Sequence, residues 1–266
     1  MSATAFEPFN PLEVALVNAA SEPAARPQFY RELLDSQVLI VPTRECMAAL
    51  NIVDGVIQKG AGLALASIES EGKQYVPFFS SERRLPIGTR FLQMPCRSFF
   101  ELTQGASLLL NPGAAYGKEL LPNEVSGLLD GSLFRPLDER IVQRDTPVLI
   151  GRPKEYPVEL ERSLQRLYSE MPQVSRAYLA FYHDSAKEAE GGLLLAIEAD
   201  ESCDFRRISA ESGIVIQSVP KAQKYADVIR YRRGEQGIGE YFAKQSPFYR
   251  RNAFGGFWRR IRETMG

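Results

Sequence analysis

The order of strand-like and helix-like segments in the C-terminal part of the chain is the feature that most constrains its fold. Apolar runs typical of strands cover 147–153, 175–184, 193–199 and 227–233. A helix is expected between the first two runs, and another between the last two. The order β-α-β-β-α-β is that of a ferredoxin-like unit, so we predict that fold for the C-terminal domain.

The first of these helices has the clearest periodicity. After Pro157, apolar residues recur at i, i+4, i+7, i+8 and i+11, which places them on one face of a helix: Leu160, Leu164, Leu167, Tyr168 and Met171. Pro172 ends the helix. The second helix begins near Ser202 or Asp204, since both residue types are good N-caps.

Helices and strands alternate less regularly in the N-terminal half. Asn10 and Pro11 form an N-cap and first-turn pair that begins a helix. Further helices are expected over 27–35, 98–104 and 123–131, and strands over 38–42, 62–67, 74–79, 89–95, 107–112 and 118–122. Because strict βαβ alternation is absent, the sequence predicts an α+β fold.

A chain of 266 residues exceeds what one small core needs, so we expect two domains. The stretch 132–146 is polar and weakly patterned, which is typical of a domain boundary. We therefore predict a mixed α+β domain over 1–137. A C-terminal domain over 146–266 would end in a helix and an Arg/aromatic tail.

Composition excludes several classes of protein. Hydrophobic residues make up 44% and charged residues 24%, as in ordinary soluble proteins. No apolar run approaches the roughly 18 residues that span a bilayer, and the first residues lack a secretory signal pattern. Three widely spaced cysteines indicate free thiols in a reducing compartment. We predict a cytoplasmic protein with no disulfide, no membrane association, no cofactor and no metal site.

Charge is distributed unevenly along the chain. The net charge is -1, but residues 220–266 carry 11 Lys/Arg and 4 Asp/Glu. The basic end therefore has a balance of +7, and residues 1–219 have a balance of -8. Such a chain can dock its basic end on its own acidic body, or it can offer that end to an anionic partner.

The sequence carries no complete catalytic motif. Gly113 to Glu119 resembles a phosphate loop, but three residues separate its glycines instead of four, and Glu119 replaces the required hydroxyl residue. A hairpin loop is the better interpretation. The glycine pair in 60–65 lacks the third glycine of a dinucleotide fingerprint. His183 beside Asp184 could form a general-base pair, but the sequence contains no G-x-S-x-G motif that would supply a nucleophile.

Two cysteines keep a thiol enzyme open as an alternative. Cys96 follows Pro95 at a predicted helix start beside Arg97, and this charge lowers a thiol pKa. Cys203 also lies near a helix start, but its acidic neighbours raise the pKa. The simpler interpretation for both is a buried or incidental thiol.

The tail is the strongest candidate for recognition. Residues 248–262 hold five arginines and five aromatic residues, including the only tryptophan. Arginine among aromatics is typical of protein hot spots and of nucleic-acid contacts. We predict a partner-binding surface there, formed by Arg250, Arg251, Phe254, Trp258 and Arg259. The alternative is a terminal segment folded back onto the body.

The chain resembles the bacterial enhanced serine sensitivity (SseB) family over nearly its whole length. The blocks that carry the resemblance are 21–38, 75–81, 94–129, 193–200, 234–242 and 247–260, in the same order as in the family. The resemblance implies a cytoplasmic protein with an N-terminal and a C-terminal domain. It also implies a link to serine, since excess protein of this family sensitises cells to that amino acid. It carries over no catalytic residue.

These observations together predict a non-enzymatic binding or regulatory protein, linked to serine and to related amino-acid or sulfur metabolism. Its binding residues would be those of the tail and of a hairpin at Tyr116, Gly117, Lys118 and Glu119. We expect the partner to be another protein, and the sequence is also compatible with a homo-oligomer. Two alternatives stay open: an enzyme acting on a small amino acid through Cys96 or Cys203, and an RNA- or ribosome-associated factor that uses the basic end.

Overall fold

The computed structural model describes residues 6–49, 52–53, 56–57, 63–135, 148–153, 155–184, 191–219 and 226–251. The chain divides into two compact units, which we call the N-terminal unit (Met1–Leu133) and the C-terminal unit (Phe134–Gly266). Both units mix helices with a sheet, which confirms the mixed class predicted from the sequence.

The described helices of the N-terminal unit are α1 (Pro11–Ser21), α2 (Arg26–Asp35), α3 (Arg44–Ala49), α4 (Cys96–Leu102) and α5 (Pro122–Leu129). Short 3₁₀ turns occur at Pro23–Ala25, Glu82–Arg84 and Ser132–Phe134. Asn10 caps α1 as predicted, because its side chain accepts a hydrogen bond from the Glu13 backbone N–H at 2.9 Å. The α4 helix begins two residues before the predicted range.

The strands of this unit are β1 (Gln37–Ile40), β2 (Ile52–Val53), β3 (Val56–Ile57), β4 (Ile68–Ser70), β5 (Lys73–Phe79), β6 (Leu92–Pro95), β7 (Leu108–Leu110) and β8 (Lys118–Leu120). The strand predicted over 62–67 is wrong. Within its described part, 63–67, Leu65 forms a single bridge to Pro42, and the strand begins at Ile68. A tight turn at Glu71 and Gly72, both with positive φ, then leads into β5.

One sheet organises the N-terminal unit. Its strands lie in the order β6-β1-β5-β7-β8, with β4 also paired to β5. The β5 and β7 strands are parallel, and the other pairs are antiparallel. Phe78 of β5 packs against Phe99 and Phe100 of α4, and all three are fully buried. The β7–β8 hairpin is joined to this core through the pairing of β7 with β5, in which Leu110 lies opposite Phe78.

The C-terminal unit contains β9 (Val148–Gly151), α6 (Val158–Ser169), β10 (Val174–Asp184), β11 (Gly192–Ala199), α7 (Phe205–Ser218), β12 (Ala226–Arg230), α8 (Ile238–Ala243) and β13 (Tyr249–Arg250). The predicted order β-α-β-β-α-β is therefore present. The apolar stripe of α6 and the following turn is buried along its whole length, as predicted. Asp204 caps α7 by accepting a hydrogen bond from the Arg207 N–H.

The ferredoxin-like pairing of these strands is not what the structure shows. A ferredoxin-like sheet is antiparallel and places the first strand between the third and the fourth. Here the order is β12-β11-β10, with β9 and β13 both on the far side of β10. The β11 and β12 strands are direct, parallel neighbours. The reason is that α7 is long enough to return the chain beside β11, while eleven-residue β10 offers its free edge to two short strands.

The two faces of this sheet are covered differently. Tyr249 touches Tyr168 of α6, so α6 lies on the Tyr249 face of β13, opposite Arg250. On the other face, a buried cluster joins residues from four elements or their ends: Tyr178, Ala180, Leu194, Ala196, Tyr231 and Phe242. Phe242 belongs to α8, so the short α8 helix covers the part of this face that contains the cluster.

Candidate binding site

The β7–β8 hairpin contains the first predicted site. Residues 111–117 form its loop, and Leu110 pairs with Lys118 across its base. Gly117 passes so close to the other strand that an added Cβ would lie 2.7 Å from the Leu110 carbonyl oxygen. This close approach explains a glycine there without any ligand. The hairpin interpretation of the Gly113–Glu119 motif is therefore confirmed.

Lys118 and Glu119 tie this hairpin to the rest of its unit. The Lys118 ammonium lies 3.0 Å from the Glu124 carboxylate of α5, which also accepts a hydrogen bond from Tyr30 at 2.6 Å. Glu119 accepts a hydrogen bond from Tyr75 at 2.7 Å, and this bond raises the pKa of the Tyr75 hydroxyl. Both side chains thus have internal partners, and their binding role stays a prediction.

Tyr116 belongs to a surface cluster that the sequence did not suggest. Its ring meets Phe6 edge to face, with centroids 5.1 Å apart. The Arg84 guanidinium lies 3.6 Å from the centroid of Phe6, and that of Arg83 lies 4.0 Å from the centroid of Phe9. Phe9 is 58% exposed. We call these five residues the Arg–aromatic patch.

A buried ion pair lies at the base of the Arg–aromatic patch. Glu13 of α1 is fully buried, and its carboxylate receives two hydrogen bonds from Arg84, at 2.6 and 3.1 Å. The hydroxyls of Ser80 and Ser81 donate to the same carboxylate at 2.8 and 2.7 Å. Burial alone would raise the pKa of Glu13, but the hydrogen bonds from Arg84, Ser81, Ser80 and the Phe9 N–H hold this pKa at about 2.

Two asparagines connect this ion pair to the hairpin loop and to α1. Asn111, a buried residue with φ of 50°, accepts from the Ser80 N–H at 2.9 Å and donates to the Ser80 hydroxyl at 2.9 Å. Asn10 donates to the Ser80 carbonyl at 2.8 Å. The network therefore fixes three segments together: the start of α1, the turn at Ser80–Arg84 and the start of the hairpin loop.

Part of this network had a signal in the sequence. Asn10 and Glu13 have the spacing of a capping box, in which the glutamate reaches back toward the helix start. Glu13 does so, accepting from the Phe9 N–H at 2.9 Å. The capping spacing does not indicate Arg84, because that residue lies 71 positions away and is brought close only by the fold.

The structure describes the beginning of the predicted tail surface. Arg250 lies in β13, and Arg251 follows it and donates its backbone N–H to the Ser175 carbonyl at 2.9 Å. The Arg251 side chain reaches the Pro172 carbonyl and lies 3.7 Å from Asp200. This part of the tail is folded back onto the sheet. Phe254, Trp258 and Arg259 lie outside the described residues.

The three cysteines are free thiols in different surroundings. Cys96 is completely buried, and burial raises the pKa of its thiol despite the nearby charge of Arg97. The expectation that Arg97 activates Cys96 is therefore wrong. Cys203 is half-buried, with an Arg230 nitrogen 3.9 Å from its sulfur. The Cys46 sulfur accepts a hydrogen bond from the Ala64 N–H.

Within the described ranges, no three His, Cys, Asp or Glu side chains gather in a way that would hold a metal ion. In the same part of the chain, no helix is long and apolar enough to cross a membrane. Fold and site thus define a protein of two α+β units, the first carrying an aromatic and arginine surface above a buried ion pair.

Comparison with known proteins identifies the family. The SseB protein N-terminal domain matches residues 12–127, and the SseB protein C-terminal domain matches residues 142–251. Protein SseB of Escherichia coli (strain K12) is 34% identical over 262 residues, which cover 96% of this chain and 97% of that protein. Protein SseB of Shigella flexneri has the same identity and coverage. No solved structure matches the chain. The chain belongs to the SseB family.

Proposed function

We propose that this chain is a non-enzymatic cytoplasmic binding or regulatory protein, linked to the serine sensitivity for which its family is named. The observation that supports this most is the Arg–aromatic patch. Aromatic residues and arginine are the types most enriched where proteins bind one another. Phe9 and Tyr116 supply ring surface there, and Arg83 and Arg84 stack on the rings of Phe9 and Phe6.

The base of the patch supports the same proposal. Arg84 is fixed by Glu13, and the hairpin loop that presents Tyr116 is fixed through Asn111. Side chains that are already held in place lose little conformational entropy when a partner binds. A pre-organised surface of this kind suits a protein partner better than it suits a small-molecule reaction.

The tail is the second proposed contact surface. Phe254, Trp258 and Arg259 keep the role predicted for them, and the contacts of Arg250 and Arg251 support a distinction between those two. Both side chains are exposed, but Arg251 contacts the Pro172 carbonyl and Asp200 within its own unit, whereas the cross-strand neighbour of Arg250 is Arg176, which has the same charge. We therefore assign the binding role among these first two arginines to Arg250.

Two experiments on the full chain test the proposal. The first overproduces the protein in bacteria and measures the serine concentration that halves growth. The second identifies the proteins retained by tagged chain. A Phe9→Ala, Tyr116→Ala double variant should lose both effects. Leu102→Ala, which removes an exposed apolar side chain elsewhere in the same unit, should keep them.

The alternatives separate in the same assays. Should a folded Cys96→Ala, Cys203→Ala variant lose serine sensitisation while the patch variant keeps it, the chain is a thiol enzyme and the proposal is wrong. An RNA- or ribosome-associated factor would retain nucleic acid instead of protein. It would also elute earlier from heparin once the tail arginines are neutralised.

A further inference from the structure

A line of charged side chains crosses the C-terminal sheet at one end. Arg250 of β13 lies directly opposite Arg176 of β10, and Arg176 lies directly opposite Glu198 of β11. Residues paired in this way share a face of the sheet. Arg233, just beyond β12, reaches the same place, with its Nε 3.5 Å from a Glu198 oxygen. We call Arg176, Arg233 and Arg250, with Glu198 among them, the arginine face.

Internal contacts do not balance the charge of the arginine face. Glu198 is its one carboxylate, and Arg176 lies 2.9 and 3.1 Å from the two Glu198 oxygens. Arg250 is exposed and has another arginine as its cross-strand neighbour. Like charges directly opposite one another destabilise a sheet, so this arrangement calls for a reason other than stability.

One nitrogen of the face has no hydrogen-bond partner among the described residues. Arg176 and Glu198 have side-chain exposures of only 23% and 22%. The Arg176 Nε is buried, yet it makes no hydrogen bond to any described residue. Buried polar atoms in folded proteins nearly always have a partner. Only the exposed parts of the arginine face can meet a group from outside, and their surplus of positive charge favours an anionic one.

The nearby acidic residues that the structure describes form ion pairs with other arginines. Asp200 lies 3.7 Å from Arg251. Glu201 and Glu235 lie 3.5 and 3.7 Å from Arg232. These pairs leave the arginine face with two more positive than negative charges.

We infer that the arginine face binds carboxylates of an acidic segment in a partner protein. The inference rests on the proposed binding function and adds the chemistry of the partner. Guanidinium groups bind carboxylates through paired, charge-assisted hydrogen bonds, and three of them at one sheet end can hold several acidic side chains. Glu198 occupies part of the face and competes with the incoming carboxylates.

A protein segment fits these charges better than a nucleic acid does. Duplex DNA carries a charge about every 1.7 Å along its axis, and its binding uses an extended basic track. The arginine face is short and contains a carboxylate, and residues 1–219 have a balance of -8, which repels a long polyanion. A short acidic segment brings few charges and avoids most of that repulsion.

The test uses full-length protein and a dye-labelled hexaglutamate peptide, with binding followed by fluorescence anisotropy at about 0.15 M salt, where the screening length is about 8 Å. An Arg233→Ala, Arg250→Ala variant should bind about tenfold more weakly or worse, because charge-assisted hydrogen bonds are lost. The matched control is Arg162→Ala, Arg206→Ala. It removes the same charge from exposed positions of α6 and α7, and its affinity should stay within about twofold because distant charges are screened.

Glu198→Gln should change the affinity for hexaglutamate in the opposite direction. Removing the competing carboxylate should strengthen hexaglutamate binding, whereas Glu159→Gln on exposed α6 should leave it unchanged. The inference is wrong if hexaglutamate does not bind, or if both arginine pairs weaken it equally. It is also wrong if a dye-labelled dT hexanucleotide binds more tightly through the same arginines. The Phe9→Ala, Tyr116→Ala variant should bind hexaglutamate normally. The experiments therefore distinguish a wrong function proposed for the Arg–aromatic patch from a wrong ligand inferred for the arginine face.

Discussion

The Glu13–Arg84 pair of the N-terminal unit and the Glu198–Arg176 pair of the C-terminal unit have the same chemistry and different surroundings. Glu13 is fully buried, and two serine hydroxyls and a backbone N–H complete its hydrogen bonding. Glu198 and Arg176 are partly exposed, two further arginines lie beside them, and one Arg176 nitrogen has no partner in the described chain.

This difference separates a structural ion pair from a candidate binding surface. A buried pair is tolerable only when every charge and lone pair is satisfied, as at Glu13. A pair at a surface with excess like charge adds little stability and attracts an anion. Variants at the two pairs should therefore affect different properties: stability in the first unit and binding in the second.

The largest expected effect is on the stability of the N-terminal unit. Glu13→Gln leaves the mostly buried Arg84 without its counter-charge, and breaking a buried pair in this way costs about 3–5 kcal/mol. Urea denaturation followed by circular dichroism measures the change. Glu7→Gln, an exposed neighbour on the same segment, should shift stability by less than about 0.5 kcal/mol. Equal, small losses in both variants would contradict the structural role of the pair.

The C-terminal unit should depend on its apolar core more than on its ion pair. Leu164 of α6 is fully buried, so Leu164→Ala should cost about 2–5 kcal/mol through lost burial and the cavity that remains. Glu198→Gln in the same unit should cost less than about 1 kcal/mol. A Glu198 variant that matched Leu164→Ala in thermal unfolding would show that the second pair is structural too.

Acid should weaken the first pair by about 3 kcal/mol, the difference that corresponds to lowering the pKa of Glu13 from 4.5 to about 2. A carboxyl group whose pKa is lower in the folded state stabilises the fold above its unfolded pKa. This contribution is therefore complete above about pH 4.5 and is lost as the pH falls toward 2. Urea midpoints measured between these pH values should fall more steeply for the wild-type chain than for Glu13→Gln. Parallel curves would mean that Glu13 is not the group responsible.

Local patterns in the sequence predicted what depends on local geometry. The periodicity around Leu164 indicated a helix and its buried face, and Asn10 before Pro11 indicated the start of α1, because both signals lie within a few residues. The neighbours of β11 and β12 were not predictable in this way. Segment order does not determine which strands pair, and the parallel β11–β12 contact follows from how α7 packs.

The sites show the same limit. The composition of the tail identified Arg250 as a candidate, and the predicted hairpin identified Tyr116, but the neighbours of both come from distant parts of the chain. Tyr116 meets Phe6, and Arg250 lies opposite Arg176 only because β13 pairs with β10. A single sequence carries no signal for such register. Arg250 and Arg251, of which only the second contacts Asp200 and the Pro172 carbonyl, were therefore indistinguishable before the structure.

The smallest expected effect is the difference in stability between single variants of Arg250 and Arg251. A double variant would combine the two contributions. Arg251→Ala loses the contact with the Pro172 carbonyl and the exposed Asp200 pair, so it should cost up to about 1 kcal/mol. Arg250→Ala removes a like charge opposite Arg176, so it should leave stability unchanged or raise it by a few tenths, about 0.2–0.5 kcal/mol. Thermal unfolding at low salt measures both. If Arg250→Ala destabilised the protein as much as Arg251→Ala does, Arg250 would be part of the internal docking of the tail. The arginine face would then lose one of its two exposed arginines.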